Sequence, residues 1–315
     1  MKAMVKNDQG ALIYKTVPDP IRNKGELLVE VKATALNRLD LMWLDNQSDV
    51  DILGIEIAGV VLKSDPESEF KKGDRVMGII SNGGYAEKAI LPESRAMRLM
   101  DELSFIEAAA ISEVFLTAYQ TLFWLGNLQE NETVLIHAGA SGVGTAAIQL
   151  AKVLKNAQVI ITTSNQEKLD FCHTLGADEV INYKTTDFGD LLENKVDVVL
   201  DFVGKRHFKS NLKSLKIDGR WIVIAAMSGG MIENFDLEQI LRRRIKIEGT
   251  ALLSRSDAYK EKLTHEFYNN TVDYFKEGTL KAVVDSVYDI QDVEKAHQRM
   301  RDNLNMGKII LKVSE

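Results

Sequence analysis

The chain has 315 residues, of which 45% are hydrophobic and 27% charged, and its formal net charge at pH 7 is −7. This length is enough for two globular domains, each with its own core. The acidic balance and the lack of a long basic run exclude an electrostatic footprint for nucleic acid or anionic lipid.

The sequence carries no recognisable targeting or membrane signal. The start, MKAMVKNDQGALIYKTV, has no apolar h-region, and no window approaches 18 consecutive apolar residues. We therefore expect neither a signal peptide nor a transmembrane helix. Cys172 is the single cysteine, which excludes an intrachain disulfide and a cysteine-rich zinc site. The expected location is the cytoplasm.

The first 115 residues or so have the pattern of short strands separated by turns. The strand signals are ELLVEVKATAL, IEIAGVVL, KKGDRVMG and NGGYAEKAIL. Together they predict a compact, mostly antiparallel β domain.

The pattern changes between residues 133 and 250. Apolar runs alternate there with helix-length segments: TVLIHA, QVIITT, VDVVLDFV, RWIVIAA and IKIEGT. Such runs are typical of a parallel sheet that is buried on both faces, so this region predicts a doubly wound α/β domain. The end of the chain predicts a short amphipathic helix and one alternating strand that returns to the first domain.

The stretch TVLIHAGASGVGTAAIQLAKVL predicts a nucleotide site. A strand over Thr133–His137 is followed by a turn at Gly139 and then by apolar residues at helical spacing. The free N–H groups and positive dipole end of such a helix favour a pyrophosphate. A strict G-x-G-x-x-G motif has glycine where this chain has Ser141, but Gly142 beside it still permits close backbone approach. We predict a dinucleotide site here.

The end of the second strand of this domain indicates which dinucleotide binds. An NAD site usually has a carboxylate there, whereas this chain has Thr163, Ser164 and Asn165, with Lys168 one turn further. Hydroxyls, a helix N-terminus and an ammonium favour a 2′-phosphate, so we infer NADP(H). The alternative, a helix cap at Ser164 or Asn165 with Lys168 in solvent, is compatible with this role. Tyr183 either covers the same pocket or only packs.

The chain resembles a known family, the zinc-independent quinone oxidoreductases of the medium-chain dehydrogenase/reductase superfamily. The resemblance runs nearly end to end and is greatest to the subgroup typified by the tumour-suppressor-induced quinone oxidoreductase. The segments that carry it, in order, are ALNRLDLM, LGIEIAGVV, KKGDRVMG, GGYAEKAIL, AAAISEVFLTAYQTL, HAGASGVGTAAIQLAK, DGRWIVIAAMSGG, LLSRS and AHQRMRDNLNMGKIIL.

The resemblance implies a two-domain α/β architecture. Residues 1–115 and 256–315 are expected to form a GroES-like, β-rich catalytic domain, and residues 116–255 a Rossmann NADP(H)-binding domain. It also implies a cleft between the domains and a homodimer.

The chain departs from the zinc-dependent relatives in the residues that bind metal. Asn37 and Ile55 stand where those relatives have a zinc-binding cysteine and histidine, and the four-cysteine structural zinc loop is absent. Cys172 and His173 are neighbours in the other half of the chain, where packing is the simpler interpretation. We expect no metal.

Without a Lewis acid, alcohol oxidation loses its main means of stabilising an alkoxide, but reduction of an electrophilic carbon does not need one. We therefore predict an enzyme that transfers hydride from NADPH to quinones or α,β-unsaturated carbonyls, with the protein mainly positioning the reactants.

Three residues are candidates for the catalytic machinery. Asn37 is the first choice for a polar contact to substrate or nicotinamide, the alternative being a brace for its loop. Asp40 holds that loop or takes part directly. Glu113 and Glu56 flank the position of the zinc in relatives. Each of them donates a proton or makes a structural hydrogen bond or ion pair. Trp43 lies in the stretch where many relatives have a tyrosine, so a mechanism that needs a phenolic proton is in doubt.

The resemblance also implies the remaining cofactor contacts. Ser141 and Val143 would meet the pyrophosphate, and Phe202 and Val203 would border the adenosine. The residues expected near the nicotinamide are Ala226, Met227, Ser228, Leu252 and Ser254, with Asn305 reaching across from the C-terminal segment.

Two other functions remain open. An enoyl-thioester or alkenal reductase uses the same hydride chemistry, but a dedicated thioester reductase should have a basic groove, and LRRRIKIEG is the only local cationic cluster. The missing tyrosine keeps open a low-turnover, NADPH-binding sensor.

Overall fold

The computed structural model describes residues 1–7, 10–46 and 48–314. The described chain forms two compact units: unit 1 is Met1–Leu116 with Arg255–Glu315, and unit 2 is Thr117–Ser254. The domain limits expected from the sequence lie within one residue of these, and the functional assignment of each domain stays a prediction.

Unit 1 is built on a mainly antiparallel sheet. Its strands are β1 (Lys2–Lys6), β2 (Leu12–Thr16), β3 (Glu26–Ala35), β4 (Glu56–Lys63), β5 (Arg75–Ile79), β6 (Lys88–Pro92), β7 (Ala96–Arg98), β14 (Val284–Asp289) and β15 (Lys308–Lys312). The order in the large sheet is β14-β15-β3-β4-β5-β7, with β6 also paired to β3, while β1 and β2 form a separate hairpin.

The helices of unit 1 are mostly short. They are α1 (Arg38–Asp45), α2 (Phe105–Ala109), α3 (Ser112–Tyr119, which runs into unit 2), α9 (Asp257–Lys276) and α10 (Val293–Arg301). Leu27, Val29 and Val31 of β3 pack with Ile57 and Val61 of β4 in one core cluster. Alternation along β3 places these side chains on the covered face of the sheet.

The C-terminal strand does return to unit 1, because β15 pairs antiparallel with β3. It is not the alternating strand that the sequence predicts, since Lys308 to Leu311 are all buried. A strand with neighbours on both sides and layers above and below is buried on both faces. The lysine at its start is therefore a buried charge.

Unit 2 is a doubly wound domain with a fully parallel sheet, as predicted. Its strands are β8 (Thr133–His137), β9 (Gln158–Thr163), β10 (Glu179–Asn182), β11 (Val196–Asp201), β12 (Leu215–Val223) and β13 (Lys246–Gly249), in the order β10-β9-β8-β11-β12-β13. The helices are α4 (Gly142–Lys155), α5 (Gln166–Thr174), α6 (Phe188–Leu191), α7 (Phe208–Ser214) and α8 (Leu237–Arg243), besides a π-helix over Gln120–Leu125.

The sequence predicts five of these strands and misses β10. This strand has four residues, and only Ile181 among them is fully buried. It lies at the edge of the sheet, where a strand needs no continuous apolar run. The additional strand β10 extends the sheet without changing the predicted fold class.

Local sequence explains the limits of the helix that matters most, α4. Ser141 caps its N-terminus, with Oγ accepting a hydrogen bond from the N–H of Gly144 at 3.1 Å. Asn156 ends it in the left-handed conformation, with φ of 45°, which asparagine adopts more readily than most residues.

Three histidines are buried in the fold, and burial lowers the pKa of each. The pKa of His137, of His207 and of His297 is lowered from 6.5 to about 4, so the folded protein holds them neutral. Asp40 shifts the opposite way, since burial raises its pKa to about 6.

These shifts predict how stability depends on pH. As pH falls from 6.5 towards 4, these histidines bind protons in the unfolded chain but stay neutral in the folded protein. Proton binding therefore favours the unfolded chain, and the free energy of unfolding falls over this pH range. Asp40 opposes this between about pH 6 and 3.8, and Asp201, whose pKa burial also raises, acts in the same direction. These are two carboxyl groups against three histidines. We expect urea unfolding to give a free energy about 2–4 kcal/mol lower at pH 5 than at pH 7.5.

The control for this prediction is a pair of histidine variants. His207→Phe, at a buried position surrounded by rings, should reduce the difference between the two pH values, whereas His265→Gln, at an exposed position, should leave it unchanged. Equal stability at the two pH values would contradict the assignment of neutral histidines.

Candidate functional site

Asp40 holds the corner where β3 leads into α1. Its Oδ2 accepts hydrogen bonds from the N–H of Asn37 at 2.8 Å and from the hydroxyl of Tyr85 at 3.1 Å, and its Oδ1 accepts from the N–H of Gly54 at 3.0 Å. The side chain is fully buried. These contacts support the loop-holding alternative for Asp40.

The hydrogen bonds continue from Asp40 through Tyr85 to α10. The hydroxyl oxygen of Tyr85 lies 3.3 Å from Nε2 of His297. Burial and the neighbouring Asp40 carboxylate raise the pKa of Tyr85 well above its ordinary value, so the phenol stays protonated. Sequence reasoning did not find Tyr85 or His297, which are distant from Asp40 in the chain.

Asn37 belongs to a second buried cluster, which contains a lysine. The ammonium of Lys308 donates to the carbonyl of Leu36 at 2.7 Å and to Oδ1 of Asn37 at 2.8 Å, and lies 2.8 Å from Oε1 of Glu56. Nδ2 of Asn37 donates to the same Glu56 oxygen at 2.9 Å. Three acceptors thus surround one ammonium, which has three protons to donate.

Glu113 joins this cluster through its backbone. Its N–H, in the first turn of α3, donates to Oε2 of Glu56 at 2.8 Å. Glu56 is 0% exposed and the side chain of Lys308 is 5% exposed, so this ion pair is deeply buried. The structure therefore brings Asn37, Glu56 and the backbone of Glu113 together around Lys308, a residue that the sequence analysis missed. Its signal was a charge within the otherwise apolar run MGKIIL.

The residues of this cluster do not fit a catalytic zinc ion. Ile55 is an alkyl side chain and cannot be a ligand, and both ends of the Asn37 amide are already hydrogen bonded. Zinc sites in proteins use thiolate, imidazole and carboxylate ligands in sets of three or four. Within residues 1–7, 10–46 and 48–314, no three histidines, cysteines or acidic residues are grouped to hold a metal ion.

The candidate nucleotide site begins at the turn between β8 and α4. Ser141, Gly142 and Val143 are partly exposed at the start of this 14-residue helix. The first N–H groups of a helix have no partner inside it, and the dipole adds positive charge there. A side chain at Gly144 would place Cβ 2.5 Å from the carbonyl oxygens of Ala138 and Gly139, so only glycine lets the turn close this tightly.

The β9–α5 turn, residues 163–165, follows the neighbouring strand. Thr163 is buried, and its carbonyl accepts the N–H of Tyr183 at 3.2 Å. Ser164 is partly exposed, and Asn165 caps α5 by accepting the N–H of Lys168 at 2.9 Å. Asn165 is therefore the cap of α5, and Ser164 beside it is accessible to a ligand. The ring of Tyr183 packs edge-on against His207, with centroids 5.2 Å apart.

The loop of residues 202–206 is expected to border the adenosine and is called the adenosine-side loop. It follows β11 and is hydrogen bonded to the loop after β12. Ser228 fixes this contact, because its hydroxyl donates to the carbonyl of Val203 at 2.7 Å and accepts the N–H of Arg206 at 2.9 Å. The N–H of Met227 also donates to the carbonyl of Phe202, at 3.2 Å. Ser228 therefore joins two loops, and its hydroxyl is already used in the protein.

The remaining predicted residues lie at several places. Ala226 and Met227 are exposed beside Ser228, and Leu252 is buried in the short helix after β13. Ser254 is exposed and donates to the carbonyl of Ala251 at 3.0 Å. Asn305 lies in unit 1, where Nδ2 donates to the carbonyl of Gly307 at 2.9 Å.

The carboxyl ends of the parallel strands gather most of the predicted cofactor residues. The turns after β8, β9, β11 and β12 carry Ser141–Val143, Thr163–Ser164, Phe202–Val203 and Ala226–Ser228 respectively. In open α/β sheets, ligands bind at this edge, where the strand order reverses. Here that reversal lies between β8 and β11.

The buried ion pair of unit 1 leads to a stability prediction. Lys308→Met leaves the Glu56 carboxylate buried without its cation, so we expect the free energy of unfolding to fall by about 3–5 kcal/mol. Adding Glu56→Gln removes the unpaired charge and should restore most of the loss. Lys312→Met, at an exposed position of the same strand, should change stability by less than about 0.5 kcal/mol. Urea unfolding measures all four proteins, and a double variant no more stable than Lys308→Met would contradict the role of the pair.

Comparison with known families matches both units. Residues 23–101 match the family model described as "Alcohol dehydrogenase GroES-like domain", and residues 142–269 match "Zinc-binding dehydrogenase". A relative, the mouse (Mus musculus) "Synaptic vesicle membrane protein VAT-1 homolog-like", is 30% identical over 332 residues, covering 96% of this chain and 78% of its own length.

Solved structures show the same likeness. A mycobacterial protein complexed with NADPH has 25% identity and a TM-score of 0.88, covering 99% of this chain and 100% of that one. A quinone oxidoreductase of Pseudomonas syringae has 26% identity and a TM-score of 0.86, with the same coverage. The CurK enoyl reductase has 25% identity and a TM-score of 0.85, covering 99% of each chain.

The family matches, the relatives and the two unit folds agree with the resemblance found in the sequence. The chain is an oxidoreductase of the medium-chain dehydrogenase/reductase superfamily and belongs to its zinc-independent, quinone oxidoreductase-like family.

Proposed function

We propose that this protein transfers a hydride from NADPH to quinones or α,β-unsaturated carbonyls without a metal ion. The observation that carries the proposal is the capped start of α4 at the switch point of a parallel sheet, in a chain whose unit 1 cluster does not fit zinc. The likeness to a quinone oxidoreductase and to a protein solved with NADPH supports it.

The residues of unit 2 bind and orient the cofactor in this proposal. The N–H groups of Gly142 and Val143, with Ser141, bind the pyrophosphate at the start of α4. Ser164 and Lys168 bind the 2′-phosphate beside the capped start of α5, where no carboxylate side chain follows β9 directly. The bound NADPH supplies the hydride.

The residues of unit 1 serve the acceptor in this proposal. Asn37 is held by Lys308 and Glu56, so its position is set before any ligand arrives. Reduction of an electrophilic carbon needs such fixed geometry more than it needs a Lewis acid. The contacts of the Asn37 amide inside the protein favour its bracing role, and a direct contact to the acceptor remains part of the proposal.

We also propose that the protein is a homodimer in the cytoplasm. The support for a dimer lies in unit 2, where β13 ends the sheet and leaves one side of the strand unpaired. Leu237 and Leu241 of α8 and Ile247 of β13 are exposed apolar side chains near this edge.

The proposed cytoplasmic location is supported by the single cysteine, which suits a reducing compartment. Within the described part of the chain, no helix is both long and apolar enough to cross a bilayer.

Reduction of an enoyl thioester is the second candidate, because the CurK enoyl reductase is similar over 99% of this chain. It would use the same cofactor site and hydride chemistry. The two candidates differ only in the acceptor, so one panel of acceptors separates them.

Turnover with a panel of acceptors tests the proposed function. We expect NADPH oxidation, followed by the loss of nicotinamide absorbance, to be fastest with quinones and simple enones and at least tenfold slower with enoyl thioesters. The reason is that the groove of unit 2 lined by Lys205, Lys209 and Lys213 is also lined by Glu193, Glu233 and Asp236. Ion pairs of Lys205 with Glu233 and of Lys213 with Glu193 reduce its positive charge, so it is a poor site for a carrier phosphate. Faster turnover of the thioester would favour the second candidate, and no turnover of any acceptor would leave a cofactor-binding sensor.

Replacing Lys168 by Glu tests the assignment of the 2′-phosphate site. We expect the wild type to bind NADPH at least tenfold more tightly than NADH, and Lys168→Glu to abolish or reverse this ratio, because a carboxylate repels the 2′-phosphate. Fluorescence titration of both nucleotides measures it. Lys195→Glu, which makes the same charge change just before β11 at the opposite edge of the sheet, should leave the ratio unchanged. An unaltered ratio in Lys168→Glu would show that another group binds the phosphate.

A further inference from the structure

A chain of buried polar side chains crosses the sheet of unit 2 beneath the candidate nucleotide site. Oγ1 of Thr162, on β9, lies 2.8 Å from Nδ1 of His137, at the end of β8. Nε2 of His137 lies 2.6 Å from Oδ1 of Asn211 on α7, and Nδ2 of Asn211 donates to Oδ2 of Asp201, at the end of β11, at 3.2 Å. All four residues are 0% exposed.

The donors of this chain all point the same way. The Asp201 carboxylate only accepts, so Asn211 must turn its amide group towards it and its oxygen towards His137. Nε2 of His137 therefore carries the proton, and burial lowers the pKa of His137 to about 4, which keeps the ring neutral. The unprotonated Nδ1 then accepts the hydroxyl proton of Thr162. Each orientation thus depends on the one before it.

The chain ends on the backbone of the adenosine-side loop. Oδ1 of Asp201 accepts the N–H of Val203 at 2.7 Å and that of Gly204 at 3.1 Å, and Oδ2 also accepts the indole N–H of Trp221 at 3.1 Å. Asp201 therefore fixes the loop that borders the proposed adenosine site, and its own position depends on Asn211.

The other end of the chain reaches the β9–α5 turn. Thr162 immediately precedes Thr163, whose carbonyl accepts the N–H of Tyr183, and the turn then continues through Ser164 to the cap of α5. The two segments proposed to hold the adenosine and the 2′-phosphate are thus connected beneath the surface by four side chains. A fully satisfied buried network of this kind specifies one arrangement of the groups that it joins.

We propose that Thr162, His137, Asn211 and Asp201 act as one positioning unit that couples the β9–α5 turn to the adenosine-side loop and holds both in a single arrangement before the nucleotide binds. The identity of the ligand rests on the proposed function, whereas the coupling is a property of the free protein. A site ordered in advance loses less conformational entropy on binding, so the coupling strengthens cofactor affinity without touching the cofactor.

The sharpest variants change only the hydroxyl group at the start of the chain. Thr162→Val keeps the shape and suits a β-strand but cannot donate to His137, whereas Thr162→Ser keeps the donor. Thr271→Val is the matched control. Thr271 is also a buried threonine whose hydroxyl donates a hydrogen bond, in its case to a backbone carbonyl, but it lies on α9 in unit 1. Asn211→Leu breaks the same chain at its middle and is the second variant should Thr162→Val not fold.

Cofactor affinity gives the first readout. We expect Thr162→Val and Asp201→Asn each to weaken NADPH binding about tenfold. The double variant should bind no more weakly than the weaker single variant, because either substitution alone already interrupts the same series of hydrogen bonds. Thr162→Ser should stay within twofold of the wild type. Effects that multiply in the double variant would show two independent contacts and overturn the proposal.

Hydrogen exchange in the nucleotide-free protein gives the decisive readout, since it does not depend on the proposed function. Thr162→Val, or Asn211→Leu in its place, should raise the exchange rates of the Val203 and Gly204 amides at least tenfold, while Thr162→Ser and Thr271→Val leave them within twofold. Unchanged rates at Val203 and Gly204 in the broken-chain variant would overturn the coupling. A protein that shows the faster exchange but binds no pyridine nucleotide would retain the coupling and contradict the proposed function instead.

Discussion

The candidate nucleotide site of unit 2 depends on the start of α4, where N–H groups without a partner inside the helix meet the carboxyl edge of a parallel sheet. Ser141 caps the helix through the N–H of Gly144, and a side chain at Gly144 would collide with the carbonyls of the turn. The other candidate segments follow from this arrangement, because parallel strands deliver their ends to the same edge. Ser228 and Asp201 then fix the loops around the turn.

Unit 1 orders a polar corner whose described residues do not fit a catalytic zinc ion. Lys308 supplies a buried positive charge, and Leu36, Asn37 and Glu56 converge on it much as ligands converge on an ion. Taking two charges out of water is costly, and good geometry with additional hydrogen bonds offsets the cost. The cluster therefore holds Asn37 in one orientation without a residue set that fits zinc, which suits the proposed hydride transfer to an already electrophilic carbon.

Much of the fold, including the strand, turn and helix that form the candidate nucleotide site, could be predicted because the signals are local. Continuous apolar runs predict β8, β9, β11, β12 and β13, and the glycine-rich turn with its helical apolar face predicts α4. Lys308 and the chain from Thr162 to Asp201 were not predicted, because they join residues far apart in sequence and depend on tertiary packing. The sequence alone does not show whether a polar residue such as His137 or Asn211 is exposed to solvent or buried in a hydrogen-bond network. The short edge strand β10 lacks the long apolar run that marks its neighbours.

The proposed function requires that the turn before α4 bind a pyridine dinucleotide. Isothermal titration of the purified, nucleotide-free protein with NADPH tests it most directly. We expect saturable binding of one NADPH per chain, lost when Gly144→Val fills the turn but retained in Ala258→Val, a change at an exposed position of α9 in unit 1. Absence of binding to the wild type, or undiminished binding to Gly144→Val, would contradict it.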